Sequence, residues 1–417
     1  MNKRIFLLLM ACCSVLYSFA QRKHAKKSKF PSYKGLVMAG YQGWFNAKGD
    51  GADRGWNHYG RVEQAKIGVE IWPEMGEYRK TYKTPFKLAN GDPAYLFSSY
   101  DRSSVQLHFK WMKDYGIDGV FIQRFVANLK YRQGLNHNNK VLSTAFEAAA
   151  KNNRAVAVMY DFSGMIDGDE KLVIQDFKNL VDSLKITNMG NNQNYLYHNG
   201  KPLVALWGVG FNDNRKYNLK NVQYIIDFLK NDPVYGGCSI LLGVPTQWRE
   251  LKGDTQSDPE LLETFKNADI IHPWFVGRFA EAGVPVMLER IRRDIAWCRE
   301  NKVDYVPVVY PGFSWHNMRP RSPFDQIPRN RGQFFWKQLS GAIENGAEMI
   351  YIAMFDEVDE GTAIFKMSKN PPVGNVRFLT PEEDIPSDYY MYLSGFAGKM
   401  LRGEVPFQSN IPPPKGK

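Results

Sequence analysis

Cysteine is scarce in this chain: four in 417 residues, two of them (Cys12 and Cys13) inside an apolar N-terminal run. The remaining pair, Cys238 and Cys298, has no C-x-x-C spacing, which excludes a thiolate zinc site and a dithiol redox motif. Two buried thiols are expected, with one disulfide as the alternative in an exported chain. Long apolar runs are also missing, since the longest, IFLLLMACCSVLYSF at 5–19, is too short and too close to the terminus for an ordinary spanning helix. A surplus of one charge sign is missing from the body of the chain. The formal charge is +11, but two positive charges lie in the N-terminal run and five in RKHAKKSK (22–29), leaving +4 for the rest. That small excess disfavours nucleic acid as a partner of the body. No Gly-rich phosphate fingerprint follows the first apolar run, which argues against a dinucleotide-binding open sheet.

What is present begins with a leader. Lys3 and Arg4, the apolar run and the small-x-small triplet Ser18-Phe19-Ala20 read as a Sec signal covering residues 1–20, so export to the periplasm, the cell surface or the medium is expected. Leu9-Met10-Ala11-Cys12 offers a lipobox as the alternative, and a membrane becomes a partner only if Cys12 is acylated. Residues 21–33 read as a flexible basic linker, 34–405 as one catalytic domain and 406–417 as a Pro-rich tail.

A composition of 44% hydrophobic and 14% aromatic residues supplies a large core. Eight short apolar runs recur along it: GLVMAGY (35–41), GIDGVFIQ (116–123), AVAVMYDF (155–162), KPLVALWG (201–208), CSILLGVP (238–245), DIIHPWF (269–275), DYVPVVYPGF (304–313) and EMIYIAMF (348–355). Near-continuous apolar character is what strands covered on both faces of a parallel sheet require. Segments of helical period stand between most of them; SSVQLHFKWMKDYG, for example, puts Val105, Phe109 and Met112 on one face and stops at Gly116. Strand then helix, eight times, predicts a (β/α)8 TIM barrel with a long insertion after the first strand, residues 46–115. The doubly wound open sheet is the alternative.

Barrel enzymes act at the C-terminal ends of their strands. Residues closing the apolar runs are therefore the candidates: Tyr41, Trp44, Gln123, Arg124, Asp161, Trp207, Trp248, His272, Trp274, Tyr310 and Trp315. Aromatics interleaved with Gln, His, Arg and Asp suit sugar rings, which stack on indoles and hydrogen-bond around their edges. Single aromatics at these positions are equally compatible with core packing. After the last run comes FDEVDEGT, with Asp356, Glu357, Asp359 and Glu360 as four carboxylates in five residues. A turn there would make Glu357 and Glu360, at i and i+3, neighbours, and crowding would raise at least one pKa, as a general acid needs. An exposed loop or a Ca²⁺ site is the alternative reading of the same tetrad.

Glu357-x-x-Glu360-Gly361-Thr362 at that position resembles glycoside hydrolase family 99, the endo-α-mannosidases and endo-α-mannanases, and the related family 71. GYQGWF, IWPEMGEY and IPRNRGQFFW are similar to the same wider group, so the resemblance spans most of the chain after residue 34. It implies a retaining glycosidase without an enzyme nucleophile, with an oligo- or polysaccharide as partner and with no cofactor or metal. On it, Glu357 deprotonates the sugar 2-hydroxyl, which attacks its own anomeric carbon to give a 1,2-anhydro sugar, and Glu360 is acid and then base. Asp356 and Asp359 are then substrate-binding neighbours. Val358 and Asp359 stand where family 99 has Trp and His, and Asp356 where it has Asn. A xyloside or arabinoside hydrolase and a non-catalytic glycan binder are the alternatives.

Overall fold

The computed structural model describes residues 22–188 and 193–414. The leader and Cys12 lie outside the described residues.

Each of the eight apolar runs forms a parallel strand. In chain order these are β1 (Val37–Tyr41), β4 (Gly119–Phe125), β5 (Ala155–Asp161), β7 (Lys201–Trp207), β8 (Ser239–Val244), β9 (Ile270–Pro273), the pair β10 (Asp304–Tyr305) and β11 (Val308–Val309), and β12 (Ile350–Ile352). Nearly all of their residues are buried, as strands sandwiched between barrel interior and helices must be. The sheet order runs β10-β9-β8-β7-β5-β4-β1-β12-β11. Its two ends belong to one run of chain: β10 pairs with β9 and β11 with β12, with Val306 and Pro307 between. Val306 N–H donates to Ile271 (2.9 Å) and the Pro307 carbonyl accepts from Tyr351 (3.1 Å), so the seventh barrel strand closes the ring despite the proline.

Helices cover the outside: α1 (Arg102–Tyr115), α3 (Arg132–Asn152), α4 (Glu170–Asp182), α5 (Leu219–Asn231), α6 (Glu260–Lys266), α7 (Val284–Glu300), α8 (Gln333–Glu344) and α9 (Tyr389–Leu401), with a short α2 (Val126–Leu129) after β4. Gly116 caps α1 in the left-handed conformation at φ 81°, where the sequence placed the stop. The (β/α)8 barrel expected from the sequence is therefore the fold. A small antiparallel strand, β6 (Tyr197–His198), adds to β7.

Two segments take paths that the sequence left open, and a third differs from its reading. The insertion is ordered: it holds a hairpin, β2 (Tyr82–Lys87) with β3 (Pro93–Leu96), and its Glu70 and Ile71 N–H groups both donate to the Val358 carbonyl (2.8 and 3.2 Å) in the acidic loop. The basic stretch from Arg22 is docked, not free. Lys23 N–H donates to Val234, Ala25 to Thr187 and Lys29 to Gln193, and Lys23 pairs with Asp182 at 2.5 Å. Its lysines are scattered among groups that need backbone partners, so the run seats on the N-terminal side of the barrel. In the tail, the Ser409 carbonyl accepts from Trp336 Nε1 (2.9 Å) and that of Pro412 from Tyr389 (2.6 Å). Cys238 and Cys298 are both free and buried. No described helix is long and apolar enough to cross a membrane.

Candidate active site

The acidic motif lies where β12 leaves the sheet, at the C-terminal mouth of the barrel. Residues 358–361 form a turn, with Ala363 N–H returning to the Glu357 carbonyl (2.9 Å). The turn tightens at Gly361, whose φ is +65° and where a Cβ would lie 2.9 Å from Leu379 Cδ1 and 3.2 Å from the Ser314 nitrogen. Arg329, buried behind the loop, donates to the carbonyls of Gly361 (2.8 Å) and Ala363 (2.6 Å). Gly361→Ala is expected to lower turnover at least about tenfold and to cost roughly 1–2 kcal/mol of stability, because backbone and clash must both yield. A melting curve and an activity assay on the same preparation check it.

The four carboxylates of the loop go to different partners. Asp356, fully buried, accepts from two successive backbone N–H groups of the loop after β1, Gln42 (2.7 Å) and Gly43 (2.9 Å), and so ties the first strand to the last. Glu357 accepts from Gln42 Nε2 at Oε1 and from the Thr362 hydroxyl at Oε2, both at 2.6 Å. Asp359 lies 3.1 Å from His58 Nδ1, and the His58 ring stacks on Trp44 at 3.7 Å, nearly parallel. Glu360 turns to the cavity. Among the described residues no group of three His, Cys, Asp or Glu is placed to hold a metal ion.

A cavity of about 170 Å³ sits over these groups, lined by Gln42, Trp44, Gln123, Phe125, Asp161, Ser163, Trp207, Trp274, Met354, Glu357 and Glu360. Of the residues expected from sequence, it brings together Trp44, Gln123, Asp161, Trp207, Trp274, Glu357 and Glu360. Four of its polar atoms, Trp44 Nε1, Trp207 Nε1, Gln42 Oε1 and Gln123 Oε1, are buried with no hydrogen-bond partner among the described residues. Buried polar groups are ordinarily satisfied, so two donors and two acceptors left open in one cavity fit a ligand carrying hydroxyls.

Burial dominates the electrostatics. It pushes Asp161 up to about 6, opposed by the Ser163 hydrogen bonds. Asp356 is raised to about 7 against its two backbone donors. Burial and then Asp359 and Asp161 raise Glu360 to about 7, with Arg319 opposing. Glu357 is raised well above the usual carboxylate range, by burial and then by the charges of Glu360 and Asp359. Repulsion favours one proton on the Glu357–Glu360 pair near neutrality. Two donors on Glu357 stabilise a charge there, and Glu360 has no such donor among the described residues, although burial and neighbouring charges raise Glu357 further than Glu360.

The other expected residues lie elsewhere. Arg124 is fully buried on the helix side of β4, paired with Asp176 of α4 through Nε (2.8 Å). Tyr41 is buried and hydrogen-bonded to His108 of α1 (2.8 Å). Trp248 packs between Trp297 and Phe265 and donates to Asp294 (3.2 Å). Tyr310 donates to the Phe279 carbonyl and packs on Phe334. His272 packs against Tyr351 (4.4 Å between rings), with neither ring nitrogen partnered among the described residues. Trp315 is half-buried in the loop after β11, and Asp356 and Asp359 support the loop from outside the cavity. Sequence reasoning passed over Gln42, His58, Phe125, Ser163, Met354 and Thr362. Gln42 lies within GYQGWF, Thr362 within the acidic motif and His58 within DRGWNHYG (53–60), a Trp- and His-bearing stretch of the insertion, so proximity to those stretches was the available signal.

Residues 114–384 match the family described as Domain of unknown function (DUF5010). The chain belongs to that family. It is also 21% identical over 369 residues to the mouse (Mus musculus) glycoprotein endo-alpha-1,2-mannosidase, covering 83% of this chain and 71% of the mouse protein. Its structure is similar to that of the GH99 endo-alpha-mannosidase from Bacteroides thetaiotaomicron, with a TM-score of 0.64 at 17% identity over 89% of this chain and 99% of the other. A solved glycoside hydrolase-like protein follows with a TM-score of 0.50, 15% identity, and coverage of 79% and 94%. The family 99-like barrel and the glycosidase class expected from FDEVDEGT agree with these relatives.

Proposed function

We propose that this chain is an exported, retaining α-glycosidase that cleaves α-mannosyl linkages in a glycan through a 1,2-anhydro sugar. The observation that carries the reading is the division of labour between Glu357 and Glu360. Both line one cavity, and two side-chain donors meet Glu357 while none of the described residues donates to the Glu360 side chain. The names of the mouse and Bacteroides relatives supply the mannosyl part.

In the first step the ionised Glu357 takes the proton of the sugar 2-hydroxyl, O2 forms a bond to C1, the C1–O glycosidic bond breaks, and Glu360 gives its proton to the departing oxygen. In the second, Glu360 takes a proton from water, the water oxygen bonds to C1, the C1–O2 bond breaks and O2 recovers its proton from Glu357. Gln42 and Thr362 stabilise the charge on Glu357 before the first step and yield it during transfer. Trp44, Trp207 and Trp274 offer apolar faces for the sugar, and the open indole N–H and amide oxygens suit its hydroxyl edge.

A matched pair of α-mannosyl substrates tests the mechanism. The parent is hydrolysed with retained anomeric configuration, and its 2-deoxy analogue, which has no O2 nucleophile, is at least about 10³-fold slower, as loss of a reacting group demands. Comparable turnover of the two overturns the reading. Mass spectrometry of the exported protein distinguishes cleavage after Ala20 from acylation at Cys12.

A further inference from the structure

Beside Glu360, the loop after β11 carries a feature that the chemistry above leaves unused. Ser314 N–H donates to the Glu360 carbonyl (3.0 Å), which fixes WHNMRPRS, residues 315–322, against the acidic turn. Arg319 is exposed, lies with its guanidinium 4.6 Å from the centre of the Trp315 ring, and makes no ion pair with any described carboxylate. Its charge nonetheless reaches Glu360. Trp315 Nε1 is buried and has no hydrogen-bond partner among the described residues.

The positive charge extends from there. Arg321 is exposed in the same loop, and Arg377 stacks on Phe324 at 4.2 Å, with its carbonyl held by Asn317 of the loop (2.7 Å). His316 packs edge-on against the same Phe324. The acids that face this lip are few. Asp325 lies opposite Arg377, with Glu382 beyond it, and Glu70 is already engaged by Ser314 and Asn317. A guanidinium held over an indole ring is kept in place while its N–H groups stay free of any described carboxylate, which suits it to a bidentate anion.

We propose that the Trp315–Arg319 lip binds an anionic substituent, a carboxylate, sulfate or phosphate ester, carried by the sugar on the leaving side of the cleaved bond. The side follows from Glu360: the group that protonates the departing oxygen faces the leaving sugar, and the lip is anchored to Glu360's own backbone. The inference thus rests on the proposed function for its direction, and on the unpaired, stacked arginine for its chemistry.

The test compares a neutral α-mannooligosaccharide with three relatives bearing a uronate, a 6-sulfate or a 6-phosphate on the leaving sugar. The wild-type protein is expected to show a kcat/KM at least about tenfold higher for one or more anionic members, carried mainly by KM and shrinking in 0.5 M salt. In Arg319→Gln the ratio of anionic to neutral kcat/KM collapses to about one, and Arg319→Lys restores part of it. Equal use of neutral and anionic members by the wild type overturns the proposal. So does an equal loss on both in Arg319→Gln with a shifted alkaline limb, because Arg319 would then act only through Glu360. If no member is cleaved, the proposed function has failed separately, and calorimetric binding of the same four compounds still decides: tighter anionic binding that Arg319→Gln abolishes supports the lip, and equal binding sinks it.

Discussion

Glu360→Gln and Glu357→Gln each lower turnover of a glycan by about 10²–10⁴-fold, the range that one general acid or base supplies. They part company on a glycosyl fluoride assayed with azide. Fluoride leaves without a proton and azide opens the anhydro ring without a base, so Glu360→Gln recovers most of its loss. Glu357→Gln does not, because the 2-hydroxyl still has no acceptor. Equal recovery of both variants, or of neither, contradicts the assigned roles. The wild-type alkaline limb near pH 7 follows the proton on Glu360 and disappears in Glu360→Gln. In the variant, stability moves the opposite way from activity. Glu360 titrates at about 7 in the fold against about 4.5 when unfolded, so the native state holds a proton that the unfolded chain has lost between those values. The group therefore costs stability as pH rises from about 4.5 to 7. Glu360→Gln is expected to melt like wild type at pH 4.5 and to be more stable by about 1–3 kcal/mol at pH 8.

Arg124→Ala should be among the most destabilising substitutions in the chain while leaving the chemistry of the surviving folded enzyme intact. Arg124 is fully buried, bonds Asp176 and Asn139 (3.0 Å), and shares Asp176 with the Tyr160 hydroxyl (2.8 Å). Removing it leaves Asp176 charged and unpaired in the core, at a cost of about 3–5 kcal/mol. Arg124→Met with Asp176→Leu returns much of that, since a buried pair can be replaced by apolar groups of similar volume. Denaturant melts of the single and double variants, with kcat/KM per folded molecule, check both parts. A large fall in kcat/KM for the folded fraction would restore Arg124 to the substrate.

Arg124 shows why the site was only partly legible. Gln123 and Arg124 both close the same apolar run, and nothing in the run says which of two adjacent side chains faces the barrel interior. Alternation along a strand admits one: Gln123 turns inward to the cavity and Arg124 outward to α4. The same two-fold choice turned Tyr41 toward α1 and Tyr310 toward α8. Trp248 lies past its strand and fills the space between α6 and α7 instead. The docking of the basic stretch is of the same kind, since its partners at Thr187, Gln193 and Val234 are remote in sequence.

The sequence by itself determined the barrel and its eight strands, because buried parallel strands demand continuous apolar runs, and it allowed the turn at 358–361, because a Gly after crowded acids permits the bend. Given that turn, Glu357 and Glu360 at i and i+3 are neighbours by local geometry. Only the tertiary structure decided which carboxylate receives the donors. The donors that make Glu357 different from Glu360 include Gln42, which comes from the opposite end of the chain and reaches Glu357 only because β1 and β12 are neighbours in the closed sheet. His58 reaches Asp359 the same way, from the insertion, across three hundred and one positions of sequence.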